Sequence, residues 1–232
     1  MPVAARELEL PLAIEDLWLS LGDVPPSRPL MQGDVFESSA ANEEGFVMVI
    51  THPCSMRAGS KLRSRQTVVS IQGVKPPGKE LAWRTSHYDY MPLPGLTHAS
   101  IGNGYPVADF RAIAGEETAN LGYQARIAAL SHEGILHLQQ RLAHHLTRAI
   151  IDLPTLARVS NPVLTEAELQ EEWVAWATKG VAGDALEQAI KAAETVFQGV
   201  IDDEDRRLRT RLGTPHTRPD AIREMRRRIY DA

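Results

Sequence analysis

Three apolar runs decide how the first half of this chain is read: Gln32-Gly-Asp-Val-Phe36, Gly45-Phe-Val-Met-Val-Ile-Thr51 and Gln66-Thr-Val-Val-Ser-Ile-Gln72. Each is short and rich in β-branched side chains, which suit a pleated surface, so each reads as a strand. Proline and glycine punctuate the intervals, at Pro53, Gly59, Pro76-Pro77-Gly78, Pro92, Pro94-Gly95 and Gly102-Asn-Gly104. Short strands at this spacing predict a small antiparallel barrel. Upstream, Ile14, Leu17, Trp18 and Leu21 keep helical spacing before Gly22 and the Pro25-Pro26 stop, which predicts a short N-terminal helix.

Past residue 120 the apolar period becomes helical. Ile135, Leu138, Leu142, Leu146 and Ile150 fall at three- and four-residue steps up to Pro154, one amphipathic helix. His137, Arg141, His144 and Arg148 make its opposite, polar stripe, expected to face solvent. Thr165 with Glu168, and Asp184 with Glu187, have the spacing of helix starts. Leu169, Trp173 and Trp176 follow the first, and Leu186, Ile190, Ala193, Phe197, Val200 and Ile201 the second. A last helix is expected from Pro219 to the end of the chain. The predicted class is α+β: an N-terminal helix and small antiparallel barrel over 1–118, then a helical region over 119–232.

Composition narrows the function without naming it. Across 232 residues, 25 basic and 30 acidic side chains leave a net charge of −5, so the protein is no bulk polycation. Yet between Arg57 and Arg84 seven bases (Arg57, Lys61, Arg63, Arg65, Lys75, Lys79 and Arg84) stand against the single acid Glu80. From Arg206 onward nine arginines stand against Asp220, Glu224 and Asp231. One cysteine, Cys54, excludes an internal disulfide framework and an all-cysteine zinc site within one chain. No apolar run approaches the roughly 18 to 20 residues of a membrane helix, and acidic residues interrupt the N-terminus where a signal peptide needs an apolar core, so a soluble cytoplasmic protein is expected.

The segment from Gln32 to Val74 resembles the opening of PemK/MazF-type toxins, SH3-like barrels whose first strand carries Gly-Asp-[Ile/Val]. The likeness covers residues 31–75. It implies an SH3-like barrel and metal-independent cleavage of single-stranded RNA by a loop arginine and a hydroxyl residue after the third strand. Here the corresponding loop, Glu37-Ser-Ser-Ala-Ala-Asn-Glu-Glu-Gly45, holds three glutamates and no arginine. Phosphoryl transfer needs cationic charge at the transition state, so the barrel part of the likeness carries over better than the nuclease part. Ser70 stands where the hydroxyl would be. The chain is also similar to uncharacterised bacterial proteins sharing its His52-Pro53-Cys54 corner, a likeness that implies no activity.

His52, Cys54, Arg57 and Ser70 are therefore the candidate catalytic residues. A thiol two residues from an imidazole and three from a guanidinium suits a low-pKa nucleophile; the competing reading is a structural cysteine at a proline turn. His52, Cys54, His87 and Asp89 contain ligand types that suit zinc, but their linear spacing is no zinc signature, and neither a metal nor a cofactor is expected. No P-loop, G-x-S-x-G elbow, dinucleotide fingerprint or H-E-x-x-H occurs. The candidate nucleic-acid contacts are Arg57, Lys61, Arg63, Arg65, Lys75, Lys79, Arg84 and Tyr88, with Trp83 and Tyr90 nearby as stacking aromatics. The C-terminal arginines have acids to pair with at Glu166, Glu168, Glu171, Glu172 and Asp202–Asp205. The leading expectation is a non-catalytic module that binds RNA, DNA or a protein partner, the last through its C-terminal helices, as an accessory subunit of a bacterial system. The alternatives are a PemK/MazF-type endoribonuclease and a homodimeric interaction protein.

Overall fold

The structure, a computed structural model, describes residues 7–38, 45–58, 61–75, 83, 88–97, 101, 103–203 and 207–231. Among these residues it is α+β, as the change of period predicts: a curled, antiparallel, seven-stranded half-barrel sheet, with five helices that are mostly C-terminal. Chain order runs β1 (Trp18–Leu21), β2 (Asp34–Ser38), β3 (Gly45–Val49), β4 (Arg57–Ala58), β5 (Lys61–Leu62), β6 (Arg65–Val74), β7 (Tyr90–Pro92), β8 (Tyr105–Glu117) and β9 (Arg126–Leu130). The helices are α1 (His132–Thr147), α2 (Leu153–Ala177), α3 (Ala185–Ile201), α4 (Leu208–Gly213) and α5 (Arg218–Asp231). In space the sheet runs β1-β9-β2-β3-β6-β8-β7, and β4 with β5 makes a separate two-stranded ribbon.

The described residues fall into two compact units. The sheet unit takes those within 1–24, 31–52 and 63–159, and the helical unit those within 25–30, 53–62 and 160–232. The sheet unit thus continues beyond the expected junction at 118/119. The reason lies in β9, which inserts between β1 and β2, so that Leu130 pairs with Trp18 and Ala129 with Asp34. A strand that completes a sheet cannot be assigned from the run Arg126-Ile-Ala-Ala-Leu130 alone, because alanine carries little β preference.

The N-terminal helix is replaced by a single 3-10 turn over Glu15–Leu17 and by strand β1. Leu17 is wholly buried, and the Trp18 indole Nε1 donates to the Pro94 carbonyl at 2.8 Å, tying β1 to the segment after β7. Pairing with β9 outweighs helical spacing here because a helix of one or two turns has almost no stability of its own.

Two glycines permit close approach of elements. Gly33, in the Gly-Asp pair, holds φ +87° and would bring a Cβ to 2.8 Å from the Leu130 side chain. Gly134, in the first turn of α1, would drive a Cβ into the Leu17 carbonyl. Ser131 caps α1, its Oγ accepting from Gly134 N at 3.1 Å while donating to the Asp16 carbonyl. The core of the sheet unit includes Val35, Phe36, Met48, Val49, Val69, Met91, Val107, Ala128, Leu130, Ile135 and Leu138, all fully buried.

β6 and β8 are long and out of step at one point. Val69 faces Ile113 but Ser70 faces Asp109, so residues 110–112 of β8 bulge from the ladder. On β6 the same point puts Val68 and Val69 both inside, and turns Ser70 and Gln72 outward.

In the helical unit Leu169, Phe197, Ile201, Leu208, Leu212, Ala221 and Met225 form one core, against which Trp173 packs with its ring edge-on to Phe197 at 6.2 Å. The helix start expected at Thr165 is absent, because α2 runs unbroken from Leu153 through Pro162. Its true N-terminal signal is Asp152, whose carboxylate accepts from Thr155 N at 2.8 Å and Thr155 Oγ1 at 3.1 Å. Thr165 Oγ1 instead donates to Asn161 Oδ1 at 3.0 Å, within the preceding turn.

Candidate nucleic-acid interface

The outward face of β6, which is paired to β3 on one side and β8 on the other, carries Arg65, Thr67, Ser70 and Gln72 in sequence, all exposed, with Arg63 before the strand and Lys75 after it exposed as well. Three of the eight expected nucleic-acid residues, Arg63, Arg65 and Lys75, and one catalytic candidate, Ser70, thus lie on or beside one element. Arg65 lies across the ladder onto β8: its Nη2 donates to Gly115 O at 2.9 Å and its Nε sits 3.3 Å from Glu117 Oε1. Both partners of that ion pair are more than half exposed, which makes it easy to exchange for another anion.

Beside Ser70, opposite it on β8, Asp109 anchors a polar cluster. Arg111 donates to the Asp109 carboxylate from Nε at 2.9 Å, from Nη2 at 2.8 Å and from its backbone N at 3.0 Å, and Gln72 Nε2 donates to Oδ2. The Asp109 side chain is 7% exposed and that of Arg111 60%, so the carboxylate is sunk into the sheet and the guanidinium projects from it. The Arg111 side chain holds Asp109 below the usual carboxylate range, and the same bond raises Arg111. The bulge at 110–112 is what places Arg111 over Asp109, two residues back on its own strand.

The other candidates divide between the two units. His52 belongs to the sheet unit, where burial lowers its imidazole pKa. Cys54, Arg57 and Lys61 belong to the helical unit. Cys54 is exposed on a 3-10 turn, with its Sγ 3.8 Å from Ser55 Oγ. Lys61 is exposed on β5. Arg57 points inward, its Nη2 3.6 Å from Glu194 Oε1; burial lowers its pKa and the Glu194 and Glu166 charges oppose that. Cys54, Arg57, Glu166 and Arg209 line a cleft of about 370 Å³ walled by Pro53 and Pro162. There Arg209 is already committed, donating to Glu166 at 2.8 and 3.0 Å, to Gln198 at 2.9 Å and to Asp202. Lys79, Arg84 and His87 lie outside the described residues.

The aromatic residues near the basic stretch are packed against α1. Trp83 is buried beneath the Arg141 guanidinium, 4.7 Å from its ring centroid, and stands edge-on to His137. Tyr88, half-buried, has its ring 4.5 Å from His144, with Arg148 over its face at 5.7 Å. Of the stripe on α1 that amphipathic spacing assigns to solvent, only Arg148 is exposed: His137, Arg141 and His144 are buried, as Ile135 and Leu138 of the apolar face are, while Leu146 is 63% exposed. Arg141 donates from Nη2 to Trp83 O at 2.5 Å and from Nη1 to Tyr90 O at 3.3 Å, so it holds two points of the preceding segment onto the helix. Burial lowers it to about 10, and burial together with the Arg141 charge lowers His137 to about 4. The signal for this packing was a Trp and two Tyr within eight residues, the ring partners that imidazole and guanidinium groups need.

Sequence reasoning also missed a buried ion pair. Asp34 of the Gly-Asp pair is 0% exposed, its carboxylate 3.5 Å from Arg126 Nη1 and accepting from Met31 N at 2.9 Å. The Gly-Asp pair therefore has a structural task, fastening the start of β2 to β9. The C-terminal arginines do meet acids: Arg226 with Glu172, Arg211 and Arg228 with Glu224, and Arg223 with Asp220. Among the described residues no three His, Cys, Asp or Glu side chains come together as metal ligands, and no helix is long and apolar enough to cross a membrane.

Comparison with protein-family models, with curated proteins and with solved structures finds no match to this chain.

Proposed function

We propose that this protein is a non-catalytic binding module, an SH3-like barrel of the PemK/MazF kind with a helical extension, that holds single-stranded nucleic acid on the outward face of β6 as part of a larger bacterial system. One observation carries the reading: Arg63, Arg65, Thr67, Ser70, Gln72 and Lys75 stand exposed in chain order along a strand of ten residues. At about 3.3 Å per residue such a strand is about 33 Å long, enough to follow several phosphates of an extended backbone. The Arg65–Glu117 pair is surface-exposed and worth at most about 1 kcal/mol, so a phosphate can take the place of the carboxylate. Because Trp83 and Tyr88 are engaged by α1, binding on this face is electrostatic and sequence-indifferent, without base stacking. The test is fluorescence anisotropy of the full chain with labelled single-stranded RNA and DNA 20-mers at low salt and in EDTA. Saturable binding of intact oligonucleotide supports the reading, and no binding to either overturns it.

A second reading, a metal-independent endoribonuclease, is favoured by the neighbourhood of Ser70. The residue is exposed, and its facing strand brings a carboxylate (Asp109) and a projecting guanidinium (Arg111). Against it, three of Arg111's donor positions are spent on Asp109, whose charge repels a phosphate. Cleavage in EDTA that disappears in both Ser70→Ala and Arg111→Ala would put this reading first.

A further inference from the structure

We infer that the N-terminal arm and the edge strand β1 form a docking surface for an extended segment of another protein, one that alternates apolar and basic residues. This surface uses no residue of β6 and stands independently of the nucleic-acid reading. Its first element is a row of misplaced apolar side chains. Leu10, Leu12 and Ile14 are 55%, 95% and 50% exposed, with Pro11 and Ala13 less so between them, and Leu19 and Leu21 on β1 are 49% and 43% exposed. These five lie within twelve consecutive residues, whereas the other large exposed apolar side chains described, such as Ile113, Leu146 and Val196, are scattered. Concentration of this kind marks an interaction surface, where single exposed leucines do not.

The row does not result from a loosely held chain. Leu8 is buried, Glu9 N donates to Gln140 Oε1 at 2.9 Å, and Glu9 Oε1 accepts from Leu153 N at 2.8 Å. At the other end Leu17 is fully buried and its carbonyl accepts from Ser131 N at 2.9 Å. Residues 10–14, held between these anchors, join no helix and no ladder. Immediately after them β1 occupies one margin of the sheet, paired with β9 on one side and with no strand on the other among the described residues. The segment after β7 touches β1 through the Trp18–Pro94 bond, but no strand is paired there among the described residues, and an unpaired edge offers a template on which another strand can add.

Charge selects the occupant. From Glu7 to Ser27 the acids are Glu7, Glu9, Glu15, Asp16 and Asp23, and there is no lysine or arginine. Glu7, Glu15, Asp16 and Asp23 are exposed. A second copy docking edge to edge would set these acids against their own mates, and an anionic membrane would be repelled by them. A strand carrying lysine or arginine between apolar residues meets both the leucines and the carboxylates.

The full chain is titrated against three labelled twelve-residue peptides, alternating Val-Lys, Ser-Lys and Val-Glu. The expected result is binding of Val-Lys at least about tenfold tighter than of Ser-Lys, with none of Val-Glu. Leu12→Ser/Leu19→Ser should weaken Val-Lys binding by about tenfold with the fold retained at the assay temperature, since Leu12 is 95% and Leu19 49% exposed in the free protein. Glu15→Lys/Asp23→Lys should reverse the preference toward Val-Glu. Equal binding of Ser-Lys and Val-Lys, or no effect of either double variant, overturns the proposal. So does self-association in sedimentation velocity that Leu12→Ser/Leu19→Ser abolishes, because the occupant is then a second copy.

Discussion

His137 shows how one side chain can be assigned to the wrong face and still have measurable consequences. Its ring is fully buried against Trp83, neither nitrogen has a hydrogen-bond partner, and Arg141 stands one turn away. The proton is thereby disfavoured, and the folded-state value falls to about 4 from an ordinary 6.5. Between those values the unfolded chain binds the proton and the folded one does not. The contribution is therefore complete above pH 6.5 and lost as the pH falls toward 4, on the order of 3 kcal/mol in all. Urea unfolding from pH 7 to pH 4 should show that loss, and His137→Phe, which keeps a ring on Trp83, should remove this part of the slope. Asp34 makes the complementary case. Its place in a Gly-Asp turn was legible, whereas its buried partner Arg126, ninety-two residues away in sequence, was not, since an ion pair across a sheet leaves no local trace. Asp34→Ala leaves Arg126 buried beside an empty site and should cost about 3 to 5 kcal/mol of stability in the same assay.

Helix α1 and strand β6 are the elements on which periodicity both succeeded and failed. The helix and its buried apolar residues Ile135 and Leu138 were legible, but the burial of its polar stripe was not, because Arg141 donates to backbone carbonyls and His144 packs on the Tyr88 ring instead of facing water. Arg141→Ala removes a charged donor from the Trp83 and Tyr90 carbonyls and should destabilise the protein by about 3 kcal/mol. Hydrogen exchange should quicken first at Trp83 and Tyr88–Tyr90, the points the guanidinium holds; uniform quickening over the sheet would mean that Arg141 has no local role. On β6 the run of Val and Ile identified a strand, but the bulge on β8 decides that Ser70 faces outward. No reading of β6 by itself contains that bulge. The N-terminal segment is the reverse case, a helix-spaced pattern drawn into a sheet by its pairing with β9.

Across the molecule, a net charge of −5 conceals a division of labour. The C-terminal arginines are largely answered by carboxylates of the same helical unit, as the acid-rich helices led one to expect, and Arg57 is drawn toward Glu194. Of the five described bases between Arg57 and Arg84, it is Arg63, Arg65 and Lys75 that stand exposed on or beside a single strand of the sheet unit. The α+β class was open to sequence reading because the change from period two to period three and four is a property of the chain. The division into units was not, because segments 25–30 and 53–62 join helices more than a hundred residues further on.

The binding account rests on those three cations, and the salt dependence of affinity tests it most directly. For a labelled single-stranded oligonucleotide measured between 50 and 200 mM salt, three phosphate contacts predict a slope of log K against log[salt] of about −2. Arg63→Ala/Arg65→Ala/Lys75→Ala should bring that slope near zero and abolish most binding at the lower salt, with the thermal midpoint unchanged because all three side chains are exposed. A triple variant that binds with the slope of the unaltered protein would contradict the account and place any nucleic-acid contact elsewhere.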